Sequence, residues 1–155
     1  MRVACIQCKS YEDEKKTLKK LIPLIYSAAK KKVDLITLPE CATFLNVNKS
    51  ETMINASFER NSLSLKVLKE IAKDLDINIL IGSLQTLEDK MLTTKLFNRS
   101  FLINRKGKVI CKYDKIHMLV MLTWKIWKET RIKGNQKRKK KRNLRVKRKR
   151  IFVDK

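Results

Sequence analysis

The sequence predicts an α/β fold for residues 1–118. Three short apolar runs, each typical of a buried strand, alternate with two stretches whose apolar residues recur at helical spacing. Two further apolar runs are separated by a short segment that contains a glycine, which is typical of a β-hairpin. Alternating strands and helices indicate helices that cover a sheet, so this part of the chain is expected to form one α/β domain.

The first strand and the first helix are predicted near the N-terminus. The strand covers residues 2–8, and the acidic cluster Glu12-Asp13-Glu14 suits a helix N-terminus. Pro23 interrupts the helical pattern and predicts a kink or a restart, because proline removes a backbone hydrogen bond. The buried stripe of this helix is expected to consist of Leu18, Leu21, Ile22, Ile25 and Ala29.

The second strand is predicted over residues 33–38. It should end at Pro39, since proline cannot donate to a strand ladder. Residues 41–60 show no apolar period and are expected to form a loop with short turns. Within this loop Phe44 could line a pocket or fill the core, and the core is the expected position.

The second helix and the third strand follow. Asn61 or Ser62 is predicted to cap the helix, and residues 77–81 are predicted to form a buried strand. Gly82-Ser83 is expected to let the backbone turn, and the polar residues 85–95 are expected to form a loop. The buried stripe of the helix is Leu65, Leu68, Ile71, Ala72 and Leu75.

A hairpin is predicted next. One strand covers residues 99–104, and the turn at 105–108 contains Gly107, which can adopt positive φ. The returning strand starts with residues 109–111 and leads into the segment 113–117. The hairpin therefore places a polar segment at the end of a strand.

Two charged residues are predicted to follow strands directly. Glu40 stands at the carboxyl end of the second strand, where α/β sheets hold their active sites. Lys115 follows the hairpin, where partial desolvation would let its charge stabilise a developing oxyanion. The alternative for Lys115 is a solvated side chain in a lysine-rich protein.

Three segments together resemble the nitrilase superfamily of carbon–nitrogen hydrolases: residues 2–7, Leu38-Pro39-Glu40 and Tyr113-Asp114-Lys115-Ile116-His117. The segment at Asn98 and the Lys-Ile-His ending are most similar to the Nit-type and omega-amidase branch. The resemblance covers about residues 1–118. It implies the N-terminal half of a four-layer α-β-β-α sandwich, without the second half.

The resemblance implies covalent catalysis on small amides. In the family a cysteine thiolate attacks the amide carbonyl, an amine leaves, and water hydrolyses the thioester. By this resemblance Glu40 matches the general base and Lys115 the oxyanion stabiliser, with no cofactor or metal. The family's cysteine lies in a Gly-x-x-x-Cys-Tyr-Asp pattern that is absent here, so a truncated, inactive amidase is expected. Cys41 and Cys111 are interpreted as packed thiols.

The four cysteines are scattered along the chain. Cys5 and Cys8 have the spacing of a zinc or redox pair, but no second pair completes a metal site, and Cys5 is expected to face the sheet interior. Reduced structural thiols in a cytoplasmic protein are therefore expected.

No signal-peptide pattern and no run near the ~20 apolar residues of a membrane span are present, so no membrane partner is expected. A homo-oligomer is left open.

The net charge of +23 is unevenly distributed. Residues 124–155 hold 16 Lys or Arg against 2 Asp or Glu, a net of +14. Like-charge blocks repel and stay disordered without an anionic partner, so residues 119–155 are expected to form a disordered or irregular basic tail. The alternative function is non-specific binding of nucleic acid or another polyanion by this tail, with affinity that falls as salt rises.

Residues from about 119 onward are predicted to be an out-of-frame translation. The composition changes directly after His117, and the block over residues 133–150 is mostly Lys, Arg and Asn, as A-rich DNA gives in a wrong frame. Translating the locus in the other two frames beyond the His117 codon should restore a Gly-x-x-x-Cys-Tyr-Asp-like segment. If neither frame restores family-like sequence, the tail is native.

Overall fold

A computed structural model describes residues 1–46, 48–90, 93–116 and 151–154. It contains one mixed sheet with helices, which confirms the α/β class. The strands are β1 (Val3–Ile6), β2 (Leu35–Leu38), β3 (Ser57–Phe58), β4 (Asn78–Lys90), β5 (Thr93–Ile103), β6 (Val109–Asp114) and β7 (Ile151–Asp154). The helices are α1 (Glu14–Ala29), α2 (Lys49–Asn55) and α3 (Leu63–Asp74), with a 3₁₀ turn at Glu59–Asn61.

The strand order of the sheet is β6-β5-β4-β2-β1-β7, and β3 adds to β4 off this path. Strands β1, β2 and β4 run parallel, as helical crossovers require, whereas β5 and β6 return as antiparallel neighbours. The register of the two strands places Leu38, the last residue of β2, opposite Ile81, in the first third of the long strand β4. This placement decides where the residues after β2 project.

Both long helices begin at side-chain caps. Asp13 accepts a hydrogen bond from the Lys16 amide (3.1 Å), and Ser62 accepts one from the Leu65 amide (3.2 Å). Ser62 is thus the cap of α3, as predicted. The helix α1 runs through Pro23 without the predicted restart. Its face towards the sheet buries enough apolar surface to outweigh the one hydrogen bond that proline removes.

One face of the sheet carries the core. Side chains of α1 and α3 pack with it in a single cluster, and each fully buried Ile or Leu stabilises the fold by about 1.5–3 kcal/mol. Phe44 is 4% exposed, which confirms its core position. The strand residues of this face are Ala4, Ile6, Ile36, Leu38, Ile79, Ile81, Phe101 and Ile103.

The prediction that Cys5 faces the sheet interior is wrong. Successive residues of a strand point to opposite faces, and the helices cover the face of Ala4 and Ile6. Cys5 therefore lies on the other face and is exposed. Cys111 is also exposed, so its interpretation as a packed thiol is wrong as well.

Two predicted loops contain regular structure instead. The segment 41–60 forms α2, β3 and part of a 3₁₀ turn, because Asn48 caps a short helix by accepting from the Glu51 amide (2.8 Å). The segment 85–95 extends β4 and β5 into a long hairpin. Its polar residues pair across the strands, for example Glu88 opposite Lys95, and such opposite charges stabilise a pair.

The prediction that residues 119–155 form an irregular tail is wrong at their C-terminal end. Residues 151–154 form β7, which pairs antiparallel with β1. His117 and the rest of the predicted tail, residues 119–150 and 155, lie outside the described residues. The four-layer sandwich stays a prediction. Over the described ranges, no helix is long and apolar enough to cross a bilayer.

The two faces of the sheet predict different mutational effects. Ile36 is 0% exposed on the covered face, so Ile36→Ala is expected to lower the free energy of unfolding by about 2–5 kcal/mol. Its neighbour Thr37 points to the other face, and Thr37→Ala should change that energy by less than about 1 kcal/mol. Urea unfolding of both variants measures this, and equal losses would contradict the assignment of faces.

Candidate active site

The two residues predicted from strand ends are in contact. Lys115 Nζ lies 3.2 Å from Glu40 Oε1, and both side chains are partly exposed. Glu40 follows β2, whereas Lys115 follows β6 and donates its backbone amide to the Asn98 carbonyl (2.9 Å). The pairing of β2 with β4, β4 with β5 and β5 with β6 carries them together.

Asn98 completes this cluster and was not predicted to have a role of its own. Its side-chain nitrogen donates to Glu40 Oε1 (2.9 Å), so the same oxygen contacts both Asn98 and Lys115. Asn98 is 3% exposed, and its side-chain oxygen Oδ1 has no hydrogen-bond partner in the described part of the chain. A buried unpartnered oxygen costs about 1–3 kcal/mol. The amide therefore positions the Glu40 carboxylate at some expense of stability.

The turn after Glu40 is held on both sides. The amide of Cys41 donates to Ser83 Oγ (2.8 Å), and the amide of Ala42 donates to the Ser83 carbonyl (3.0 Å). Ser10 Oγ donates to the Cys41 carbonyl (2.7 Å). Cys41 itself has φ +47°, a left-handed conformation that costs a non-glycine residue about 1–2 kcal/mol. Three hydrogen bonds thus fix a strained turn and, with it, the direction of Glu40.

Gly82 allows this turn to approach β4. A Cβ atom at Gly82 would lie 2.5 Å from the Leu38 carbonyl oxygen and 2.7 Å from that of Pro39. The prediction that Gly82-Ser83 forms a turn is therefore wrong, because both residues lie within β4, where its register with β5 shifts. Their function in the fold is to receive the end of β2.

Cys41 is buried beside Glu40 but is not an activated nucleophile. Burial first, and then the negative charge of Glu40, raise the pKa of the Cys41 thiol to about 11. The opposing effects of Ser83 and Lys115 are smaller. About one in 10⁴ of these thiols is ionised at pH 7. This agrees with the interpretation of Cys41 as a packed thiol.

A second charged cluster fixes the end of β6. Arg99 Nε lies 2.5 Å from Asp114 Oδ1, and its other nitrogens lie 2.6 Å from Glu88 and 3.3 Å from Glu59. The Arg99 side chain is only 12% exposed, and hydrogen bonding to Asp114 raises the pKa of Arg99 further. Because Asp114 precedes Lys115, this guanidinium anchors the segment that carries the lysine.

Comparison with known proteins identifies the family. The model of the carbon–nitrogen hydrolase family matches residues 2–139, which extends past residue 118, the predicted end of the domain. The chain belongs to the carbon–nitrogen hydrolases. Within the nitrilase superfamily, its similar proteins place it in the Nit-type branch.

The similar proteins are much longer than the matched region. Nitrilase homolog 2 of Dictyostelium discoideum is 32% identical over 76% of this chain, and omega-amidase NIT3 of Saccharomyces cerevisiae is 30% identical over 76%. The chain spans 34% and 42% of their lengths. A solved amidase of the nitrilase superfamily from Nesterenkonia has TM-score 0.64 and 23% identity, over 76% of this chain and 44% of its own. This last likeness shows the fold.

Substituting Gly82 should displace the turn that carries Glu40. The Cβ of Gly82→Ala clashes with two carbonyl oxygens, so we expect a loss of about 1–3 kcal/mol and shifted NMR signals for Glu40 and Cys41. Gly107→Ala is the matched control, because its Cβ would lie 2.6 Å from the Lys69 carbonyl oxygen, in a different turn.

Both variants should therefore be destabilised in urea, but only Gly82→Ala should shift the backbone signals of Glu40 and Cys41. Unchanged signals in Gly82→Ala would show that β4 does not position the turn.

Proposed function

We propose that this chain carries the general base and the oxyanion stabiliser of an amidase-type carbon–nitrogen hydrolase, Glu40 and Lys115. The observation that carries the proposal is the contact of Lys115 Nζ with Glu40 Oε1 at 3.2 Å. The two residues that match the family's motifs come from separate elements and meet at the carboxyl end of β2. Family membership of the chain supports the same roles.

The geometry supports different roles for the two oxygens of the Glu40 carboxylate. Oε1 of Glu40 contacts both Asn98 and Lys115, which orients the group. Oε2 has no hydrogen bond in the described part of the chain, and the side chain is 45% exposed. Oε2 is then the oxygen that takes a proton from a thiol and later from a water molecule. A general base needs this combination of a fixed and an open oxygen.

Lys115 supplies the positive charge. Its ammonium group is partly buried and is held against Glu40, so it does not need to reorganise when an oxyanion develops on the substrate carbonyl oxygen. A small amide whose carbonyl oxygen faces Lys115 would have its carbonyl carbon polarised for attack. Omega-amides are the proposed substrate class, since omega-amidase NIT3 is among the similar proteins.

The acylation step needs a thiol that this chain does not provide in an activated form. Cys5 and Cys111 are exposed on the sheet, and burial raises the pKa of Cys8 and Cys41. The proposed activity of this chain is therefore binding and polarisation of the amide. Hydrolysis would need the cysteine of the family's Gly-x-x-x-Cys-Tyr-Asp pattern.

The chain should bind a small omega-amide without hydrolysing it. Titration with glutaramate should shift the amide signals of Lys115 and Asn98, with an affinity of about millimolar. Lys115→Met should weaken binding about tenfold, because it removes a hydrogen bond to a charged group. Lys112→Met is the matched control, since Lys112 also pairs with one glutamate, Glu59, outside this cluster (2.5 Å).

Ammonia release should stay at the level of buffer, because loss of a catalytic nucleophile costs about 10⁶ in kcat. Release that Cys41→Ala or Cys111→Ala abolishes would refute the assignment of those thiols. Equal binding by Lys115→Met and Lys112→Met would refute the role of Lys115.

A further inference from the structure

A concave surface lies away from Glu40. It is a cleft of about 1100 Å³ between α3, the turn before β6 and the segment around β3. Its apolar lining includes Leu65, Leu87 and Val109. Neither Glu40 nor Lys115 lines it, so this cleft is distinct from the proposed active site.

The cleft carries an excess of positive charge. Two of its carboxylates are already paired, since Glu88 contacts Arg99, and Glu59 contacts both Arg99 and Lys112. Glu70 is the third carboxylate of the lining. Six further cations of the lining form no ion pair within the described ranges: Arg60, Lys66, Lys69, Lys73, Lys106 and Lys108.

Close packing holds two groups of these lysines side by side. Gly107 has φ +69°, and a Cβ there would lie 2.6 Å from the Lys69 carbonyl oxygen and 3.4 Å from Lys73 Cβ. The turn that carries Lys106 and Lys108 therefore sits directly on α3. Like charges brought together in this way repel one another, and a bound anion would relieve that repulsion.

We propose that this cleft binds a ligand with an oligophosphate group. Five of the six unpaired cations are lysines, whose compact ammonium groups pair with phosphate oxygens as point charges. A linear triphosphate carries several charges close together, which matches the five lysines on α3 and on the turn before β6. The volume of about 1100 Å³ slightly exceeds the roughly 300–1000 Å³ of small-molecule sites, which leaves room for an extended ligand, and the apolar lining around Leu65 suits a nucleoside part.

NMR titration of the whole chain tests this proposal, with inorganic tripolyphosphate and ATP as the two probes. Saturable shifts are expected at the amides of Lys69, Lys73 and Lys106–Lys108. If ATP binds more strongly than tripolyphosphate, the nucleoside part of ATP contacts the apolar lining. If the two bind equally, the cleft recognises the phosphate groups alone. Saturable binding whose shifts avoid these residues would overturn the proposal, as would no binding.

Charge-reversal variants on two helices distinguish binding in this cleft from non-specific attraction of an anion to a basic protein. Lys66→Glu/Lys69→Glu/Lys73→Glu alters exposed residues of α3 in the cleft, and should weaken binding of both probes about tenfold or more. The matched control Lys15→Glu/Lys19→Glu/Lys20→Glu makes the same charge change at exposed residues of α1, outside the cleft. The control should stay within about twofold of the unmodified chain.

Equal weakening of probe binding by the two triple Lys→Glu variants, on α3 and on α1, would overturn the proposal, because binding would then follow net charge. The triple Lys→Gln variant at 66, 69 and 73 guards against misfolding. It should give an intermediate loss while the signals of the core, such as Ile36 and Ile79, stay in place. No loss in that variant would also overturn the proposal.

Discussion

The candidate active site depends on the pairing of one strand, β4, with β2 on one side and β5 on the other. On one side, Gly82 lets the Leu38–Pro39 backbone approach closely, and Ser83 binds the turn that follows Glu40. On the other side, β4 pairs with β5, which carries Asn98 to the Glu40 carboxylate. The positions of Glu40 and Lys115 therefore follow from backbone contacts more than from their own attraction, since a partly exposed ion pair contributes little by itself.

Local patterns in the sequence predict a large part of this arrangement. Apolar runs mark β1, β2 and the start of β4, and the serine at 62 marks the start of α3. The positions of Glu40 and Lys115 at predicted strand ends made them candidates, and the resemblance to the nitrilase superfamily supplied their expected roles. These signals work because strand alternation, capping and turn formation depend on neighbours in the sequence.

Features that depend on distant partners could not be predicted in this way. The polar segment 85–95 looks like a loop until the two strands are set opposite each other. The face of Cys5 depends on which side the helices cover. An asparagine in a strand gives no indication that its partner, Glu40, lies 58 positions away. The signal that was available for Asn98 was the resemblance of its segment to the Nit-type and omega-amidase branch.

The separation of these partners along the chain has a consequence for folding. Contacts between distant residues form late, because the intervening chain must lose its freedom first. Glu40 meets Asn98 and Lys115 only after β4, β5 and β6 have added to β2 in turn. The cluster thus forms only when the strands from β2 to β6 have paired, and any molecule that binds there favours this paired arrangement over its partly assembled forms by mass action.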